Sequence, residues 1–379
     1  MHVSTAFVCK CSTKATGAAP LRPFLGGIII GLCLCNVGSN LNSFVLFLQP
    51  ESSSSSYQQT QPTSTPPTPT VAERWLHYSQ NYRYISPASR DDYAQPVPIP
   101  PCGTFPEYAP WFQLDLKERS RFNEDKIIYD LLFKNSTTDT TTSARAPRTY
   151  LELGAFNGRQ ESNTRFFDDC LGWTGLLIEA NPAIYQRTIE HRPFAHKMSF
   201  APSCAVPDKT VPFHRVKWTN GGVQGYALAY NTSQARPTVD VPCGPLSPVL
   251  ADIFAVHDDP HPHRDDPNHH PTNTTITTTT TTTTPVRRRP TLDFFSLDVE
   301  GAEALVLSTI DFHAVRIQVL MIEIHNTYCK DNTCPVRQEV RATMAREGYY
   351  RYEGVVKASD VYVHPDSPYQ ISDAVATPK

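Results

Sequence analysis

Acidic residues close three short apolar runs in this sequence: Glu152 in YLELGAFNG, Glu179 in TGLLIEANP and Asp298 in FFSLDVEGAE. Two glycines, Gly154 and Gly158, follow the first acid in a G-x-x-x-G spacing. A glycine turn after an apolar strand lets backbone approach a ligand without a side-chain clash, and Gly158 lets the chain turn onward. The pyrophosphate fingerprint G-x-G-x-x-G is absent. Glu152 would also repel phosphate, so a ligand with a positive centre suits this turn better than a dinucleotide. Glu179 follows after one strand–helix–strand unit, where an acid accepts hydrogen bonds from both hydroxyls of a ribose. A positive centre joined to a ribose describes S-adenosylmethionine, which carries a sulfonium and an ammonium group.

Asp298 ends a later apolar run and is expected to face the same crevice. Methyl transfer to a hydroxyl needs in-line positioning and removal of a proton from the attacking oxygen. Asp298, or His325 in IEIHN, is placed to supply that base. A histidine titrates near neutrality, although a lone histidine more often satisfies a loop hydrogen bond, so the choice stays open. Glu300 and Glu303 fall in the turn and first helical turn after Asp298, where a helix dipole favours acids. Glu303 therefore reads as an ordinary helix N-terminal charge. Ser203, Cys204 and Ala205, after a third strand through HKMSFAPSCAV, are expected near an adenine edge. His214 and Trp218, ahead of Gly221-Gly222, are candidates for an acceptor-side loop.

The elements that must position these residues are short apolar runs alternating with helical segments from Thr149 onward. TYLEL, TGLLIEA, LDFFSLD and IQVLMIEIH are continuous apolar runs, as strands covered on both faces require. Helices are predicted over Gln160–Cys170, Pro182–His191, Leu246–Phe254, Ala302–Ile310 and Pro335–Glu347. This alternation predicts an α/β fold with a doubly wound sheet. YYRYEGVVKASDVYVHP predicts an antiparallel edge hairpin at the C-terminal end. The domain is expected over 149–379, interrupted at 257–290 by a low-complexity insertion with five histidines, four aspartates and a threonine run. A solvated loop with O-glycosylated threonines explains that composition better than a metal site, and no catalytic metal is assigned. Residues 75–148 form a lead-in region, with Ile127, Ile128, Leu131 and Leu132 at helical spacing before a polar loop.

Ahead of this, residues 1–50 contain lysines and an arginine but no acid, and the apolar stretch from Phe24 to Leu48 predicts a signal anchor. A cleaved signal and a transit peptide are the alternatives. Ser52–Thr70 lies in a Ser/Thr/Pro stalk, expected over 51–74, that cannot bury a core. Ten cysteines and sequons at Asn135, Asn231 and Asn273 favour the secretory pathway, with Cys329 and Cys334 spaced to close a short loop. Cys170 and Cys204 read equally well as disulfide halves or as small buried apolar residues. The expected location is a Golgi or ER membrane with a lumenal domain, or alternatively a plastid. A formal net charge of -3 argues against a general nucleic-acid binder.

ELGAFNGRQESNT, GWTGLLIEANP, SCAVPDKT, VPCGPLSPVL, DFFSLDVEGAE and VLMIEIHN occur together and in order. In this the chain resembles the FkbM family of S-adenosylmethionine-dependent methyltransferases over about Thr149 to His364. The resemblance implies a Rossmann-like doubly wound methyltransferase sheet. It implies that Glu152, Gly154, Ala155, Asn157 and Gly158 line the methionine end of the cofactor, that Glu179 takes the ribose, and that Asp298 lies near cofactor and acceptor. The order of anchor, stalk and domain also resembles membrane-anchored, Star-like animal relatives of the family, one of which serves in trafficking. Two functions follow as expectations: O-methylation of a glycan or other hydroxylated small molecule, or a non-catalytic trafficking role on the same fold.

Overall fold

A computed structural model of the chain describes residues 30–33, 45–48, 69–90, 101–135, 148–207, 209–216, 219, 221–226, 237–255, 289–324 and 334–372. The chain divides into two units, Met1–Thr68 and Pro69–Lys379. In the first, β1 (Ile30–Cys33) pairs antiparallel with β2 (Val45–Leu48), Ile30 opposite Leu48. These strands come from the stretch predicted to act as an anchor, whose other residues lie outside the described ones. Among the described residues no helix is long and apolar enough to cross a membrane.

The second unit opens with α1 (Val71–Asn81), which begins inside the segment read as stalk. The reason is local: Thr70 and Glu73 form a capping box, the Thr70 hydroxyl accepting from the Glu73 amide and the Glu73 carboxylate accepting from the Thr70 amide at 2.6 Å. Next come α2 (Ala109–Phe112), α3 (Glu124–Ile128) and a π-helical turn, Tyr129–Phe133. The sheet region then runs β3 (Thr149–Leu153), α4 (Arg165–Asp169), β4 (Thr174–Ile178), α5 (Pro182–His191) and β5 (His196–Met198). β6 (Lys209–His214), β7 (Gly222–Val223) and β8 (Thr238–Cys243) follow, then α6 (Leu246–Ile253). The chain closes with β9 (Thr291–Leu297), α7 (Glu303–Leu307), β10 (Arg316–Glu323), α8 (Pro335–Arg346), β11 (Tyr350–Val356) and β12 (Ser359–Val363).

Seven of these strands form one sheet in the order β11-β12-β10-β9-β3-β4-β5. β5, β4, β3, β9 and β10 are parallel, and β12 runs antiparallel between β10 and β11. The predicted doubly wound sheet and C-terminal edge hairpin are therefore present. From β3 the chain lays strands toward one edge and then, from β9, toward the other, so the order reverses between β3 and β9. Ligands bind at such a reversal, beyond the carboxyl ends of the strands.

Two differences from the sequence expectation bear on the site. A three-stranded antiparallel sheet, β7-β6-β8, stands between β5 and α6. The helix predicted from Gln160 begins only at Arg165. Residues 156–164 are committed to a turn instead, in which Phe156 and Glu161 take left-handed φ of 46° and 58°.

Strand alternation distributes the core to both faces of the sheet. Leu151, Leu153, Leu176 and Ile178 pack with Val249, Leu250, Val340 and Met344 of α6 and α8. Tyr150, Leu177, Phe294 and Val319 pack with Tyr129, Phe133, Phe166 and Phe167 of the lead-in elements and α4. Tyr150 lies against its strand partner Gly175, where a β-carbon would fall 1.9 Å from the ring. Neither the ring, which is buried, nor the central strand can yield. Gly175→Ala is expected to cost about 3 kcal/mol or more, read from the urea midpoint; a loss below about 1 kcal/mol would contradict this packing.

Candidate active site

A cavity of about 700 Å³ opens at the carboxyl ends of β3, β4 and β9. Gly154, Glu179, Phe200, Ser203, Phe213 and Asp298 are among its lining residues. Gly154 has φ +87, and a β-carbon there would sit 1.8 Å from the Asp298 carbonyl oxygen. The glycine therefore lets the turn after β3 close onto the end of β9, which no other residue permits.

Glu179 sits just beyond β4 and is buried. One carboxylate oxygen accepts from the Phe156 amide at 2.9 Å and the other from the Asn181 amide at 2.7 Å. Asn181 in turn caps α5 by accepting from the Ala183 amide. Burial pushes the Glu179 carboxyl up to about 7, against the two amides that favour its charged form. Each oxygen keeps a lone pair for a further donor.

Glu152 is placed differently from its sequence expectation. It does not line the cavity that Gly154 and Glu179 line. Ser162 and Thr164 donate their hydroxyls to Glu152 Oε2 at 2.7 and 2.6 Å, and the Asn163 amide donates to Oε1 at 2.7 Å. The positive centre it faces is a side chain of the protein, Arg192, 3.8 Å away. The physical reason is strand geometry, since Leu153 points to the cavity face and its neighbour must point to the other.

Arg192 is fully buried beyond the last residue of α5. Its guanidinium donates to Asp168 at 2.8 Å, to the Tyr150 hydroxyl at 2.7 Å and to the Gly158 carbonyl at 3.2 Å. Ser162 accepts a further bond at 3.2 Å. One side chain thus ties α5 to β3, α4 and the glycine turn. Gly158, at φ +72, presents its carbonyl to this guanidinium, and Asn157 folds its side chain onto the Arg159 and Gln160 amides. Ala155 is buried in the core.

Asp298 lines the first cavity and also a second, of about 910 Å³, that is lined by Asn163, Ser296, Glu300, Glu323 and Lys357 among others. Glu323, the last residue of β10, hydrogen-bonds to Asp298, and burial with the neighbouring negative charges pushes it up to about 11. The Asp298–Glu323 pair therefore retains a shared proton near neutral pH. Glu300 is pushed up to about 8, first by burial and then by Asp298 and Glu303. Glu303 accepts from the Val299 and Gly301 amides at 3.1 and 3.0 Å, a turn-capping role consistent with its helix N-terminal position.

Of the remaining candidates, Ser203 lines the first cavity, whereas Cys204 is bonded to Cys243 and ties the cavity wall to β8. Ala205 follows this disulfide and is absent from the lining. Cys170 is bonded to Cys102. His214 lies at the end of β6. His325, Trp218, Asn231, Asn273, Cys329 and most of the 257–290 insertion lie outside the described residues.

Sequence reasoning missed Arg192, Asn163 and Glu323. The strand-end rule that found Glu179 and Asp298 applies equally to Glu323, two residues before the histidine that drew attention. Arg192 carries no such signal, because nothing in HRP distinguishes a buried arginine from a surface one.

A parallel sheet with this strand order, an antiparallel hairpin at one edge and a cavity at the reversal define the class of Rossmann-like methyltransferase folds. The sequence matches the Methyltransferase FkbM domain over residues 152–352, more than half of the 379-residue chain, and the protein belongs to that family. No match is found among curated proteins or among solved structures.

Replacing Arg192 leaves Glu152 buried without its cation and Asp168 with only the partly exposed Arg90. Arg192→Met is expected to lose about 3–5 kcal/mol of stability in urea unfolding. Arg192→Lys is expected to recover little of it, because an ammonium cannot reproduce the fork that reaches Asp168, Tyr150 and Gly158 together. Near-native stability in Arg192→Met would remove the guanidinium from its central position.

Proposed function

We propose that this protein transfers the methyl group of S-adenosylmethionine to a hydroxylated acceptor, a glycan or another hydroxylated molecule, by O-methylation. The observation that carries this is the position of Asp298 on the linings of two neighbouring cavities. The first suits the donor. Phe200 and Phe213 offer apolar surface to a base, and Glu179 offers two acceptors to a ribose diol. The cofactor, when bound, supplies an electrophilic methyl group on a sulfonium.

The protein's own residues then orient the acceptor and take its proton. Asp298 is the base in this scheme, held in place by the Glu323 hydrogen bond and by its backbone amide on the Leu153 carbonyl at 3.1 Å. His325 remains the alternative base. A lumenal setting belongs to the same proposal, with residues 1–50 as membrane attachment. Two disulfides and a disulfide-bonded Cys334 suit an oxidising compartment, and the sequon residue Asn135 is exposed.

Calorimetric titration of the full chain with S-adenosylmethionine is expected to show one site, and Glu179→Ala to abolish it. No binding by the native chain would sink the enzyme assignment and leave the trafficking role. Because the ionised carboxylate is the better acceptor for a diol, and Glu179 titrates at about 7 in the free protein, affinity should fall about tenfold between pH 8 and pH 6. In Glu179→Gln that slope should vanish. The same carboxyl binds more protons folded than unfolded between about 4.5 and about 7. Its contribution to stability is therefore present at low pH and declines as pH rises through that window. Asp298→Asn is expected to keep cofactor affinity within a few-fold and to lower methyl transfer at least about a hundredfold; unchanged transfer removes Asp298 from the chemistry. A mass shift of the expressed chain on glycosidase treatment tests the lumenal setting, and no shift argues against it.

A further inference from the structure

The second cavity contains more hydrogen-bond acceptors than the protein satisfies. Asn163, nine-tenths buried at 9% exposure, donates to Ser296 at 3.0 Å, but its Oδ1 has no partner. Glu300 Oε2 is likewise buried without a partner. Asn163 Oδ1 is an acceptor, as is Glu300 Oε2 once its carboxyl gives up its proton, so the ligand that completes them is a donor. Five carboxyls line this cavity against two cations, Arg121 and Lys357. Arg121 is drawn to Glu161 at 3.8 Å, and the Lys357 ammonium lies over the Phe122 ring at 4.2 Å. Neither forms an ion pair with Glu300. The protein compensates by retaining protons here: burial first, and then the charge of Asp298, raises Glu300 to about 8 and Glu323 to about 11.

Protons held in this way occupy a place that a ligand cation could take. A metal ion is the poorer occupant, since among the described residues no group of three or more His, Cys, Asp or Glu side chains is arranged to hold one. A nitrogen cation needs no fixed coordination shell and supplies several donors at once, matching both the carboxyls and the Asn163 oxygen.

We infer that the second cavity binds the methyl acceptor through a primary ammonium group, the acceptor being a hydroxylated amine such as an amino sugar or amino alcohol. The acceptor role rests on the methyl-transfer function proposed above; the ammonium site does not. Anchoring the nitrogen at Glu300 and Asn163 leaves Asp298, shared with the donor cavity and still hydrogen-bonded to Glu323, to meet a hydroxyl of the same molecule.

The test uses the full chain with ethanolamine and its neutral isostere ethylene glycol, followed by ligand-observed NMR. Ethanolamine is expected to bind at least tenfold more tightly than ethylene glycol. Glu300→Gln should reduce that preference to about twofold or less, with S-adenosylmethionine affinity unchanged. Asn163→Ser, a second variant that removes the unpartnered oxygen without touching a charge, should weaken ethanolamine several-fold. Equal binding of the two probes, binding of neither, or tighter binding of Mg²⁺ than of ethanolamine overturns the inference. Retained amine preference without S-adenosylmethionine binding would overturn the methyltransferase function instead, so the two failures are distinguishable.

Discussion

A single buried guanidinium sets the geometry of the candidate site. Arg192 has no access to water, and a charge so placed persists only where carboxylates and hydrogen bonds replace its hydration. Asp168 and Glu152 supply the charge, while Tyr150, Gly158 and Ser162 supply the remaining acceptors. Those partners belong to β3, α4 and the turn that joins them. The turn is consequently held in one place relative to α5, and its Phe156 amide is brought onto Glu179. Thr188 of α5 donates to the Phe156 carbonyl and fixes the same residue from its other side. The Glu179 carboxylate is thus oriented through Phe156 by a network centred on a side chain, Arg192, that does not line the cavity.

The second constraint is a contact between backbones. Gly154 meets the Asp298 carbonyl where any side chain would collide, so the turn after β3 can close onto the end of β9 only with a glycine there. That approach puts Asp298 at the seam between an apolar-walled cavity and an acid-lined one. The electrical character changes across the seam. On one side Glu179, at about 7, can ionise near neutrality; on the other, burial and neighbouring acids push Glu323 up, and its pair with Asp298 keeps a shared proton. Asp298 lies between them, hydrogen-bonded to Glu323 on the acid-lined side.

Much of this was legible in the sequence, for identifiable reasons. Strands covered on both faces are uniformly apolar, which is why the runs TYLEL, TGLLIEA, LDFFSLD and IQVLMIEIH mark the four strands, the last three running one or two residues past the observed ends. α5 was exact at both ends because Asn181-Pro182 is a cap followed by a residue preset for the first turn. α4 was drawn too long because helical spacing in RQESNTRFF does not reveal that Glu152 claims the donors of Ser162, Asn163 and Thr164. α1 was overlooked because its capping box directly follows a proline- and threonine-rich tract whose composition dominates a window. β6 to β8 escaped because β6 and β8 each contain a proline and alternate only weakly.

The two strand-end acids give the sharpest lesson about what spacing encodes. Glu152 and Glu179 have similar local sequences and both lie at the carboxyl ends of adjacent parallel strands. Sequence treats them alike, as a pair addressing one ligand. Yet Glu152 is the fourth residue of its strand, inside the ladder and opposite Leu177, whereas Glu179 lies one residue past the end of β4. Inside the ladder the pleat decides direction, and it turns Glu152 away from the cavity-lining Leu153. Beyond the ladder the backbone is free to turn the carboxylate across the strand ends, where two amides catch it. One residue before the last ladder pair rather than one residue after it thus separates an acid that holds the protein together from one available to a ligand. The cationic partner inferred for Glu152 from its charge is real, but it is Arg192.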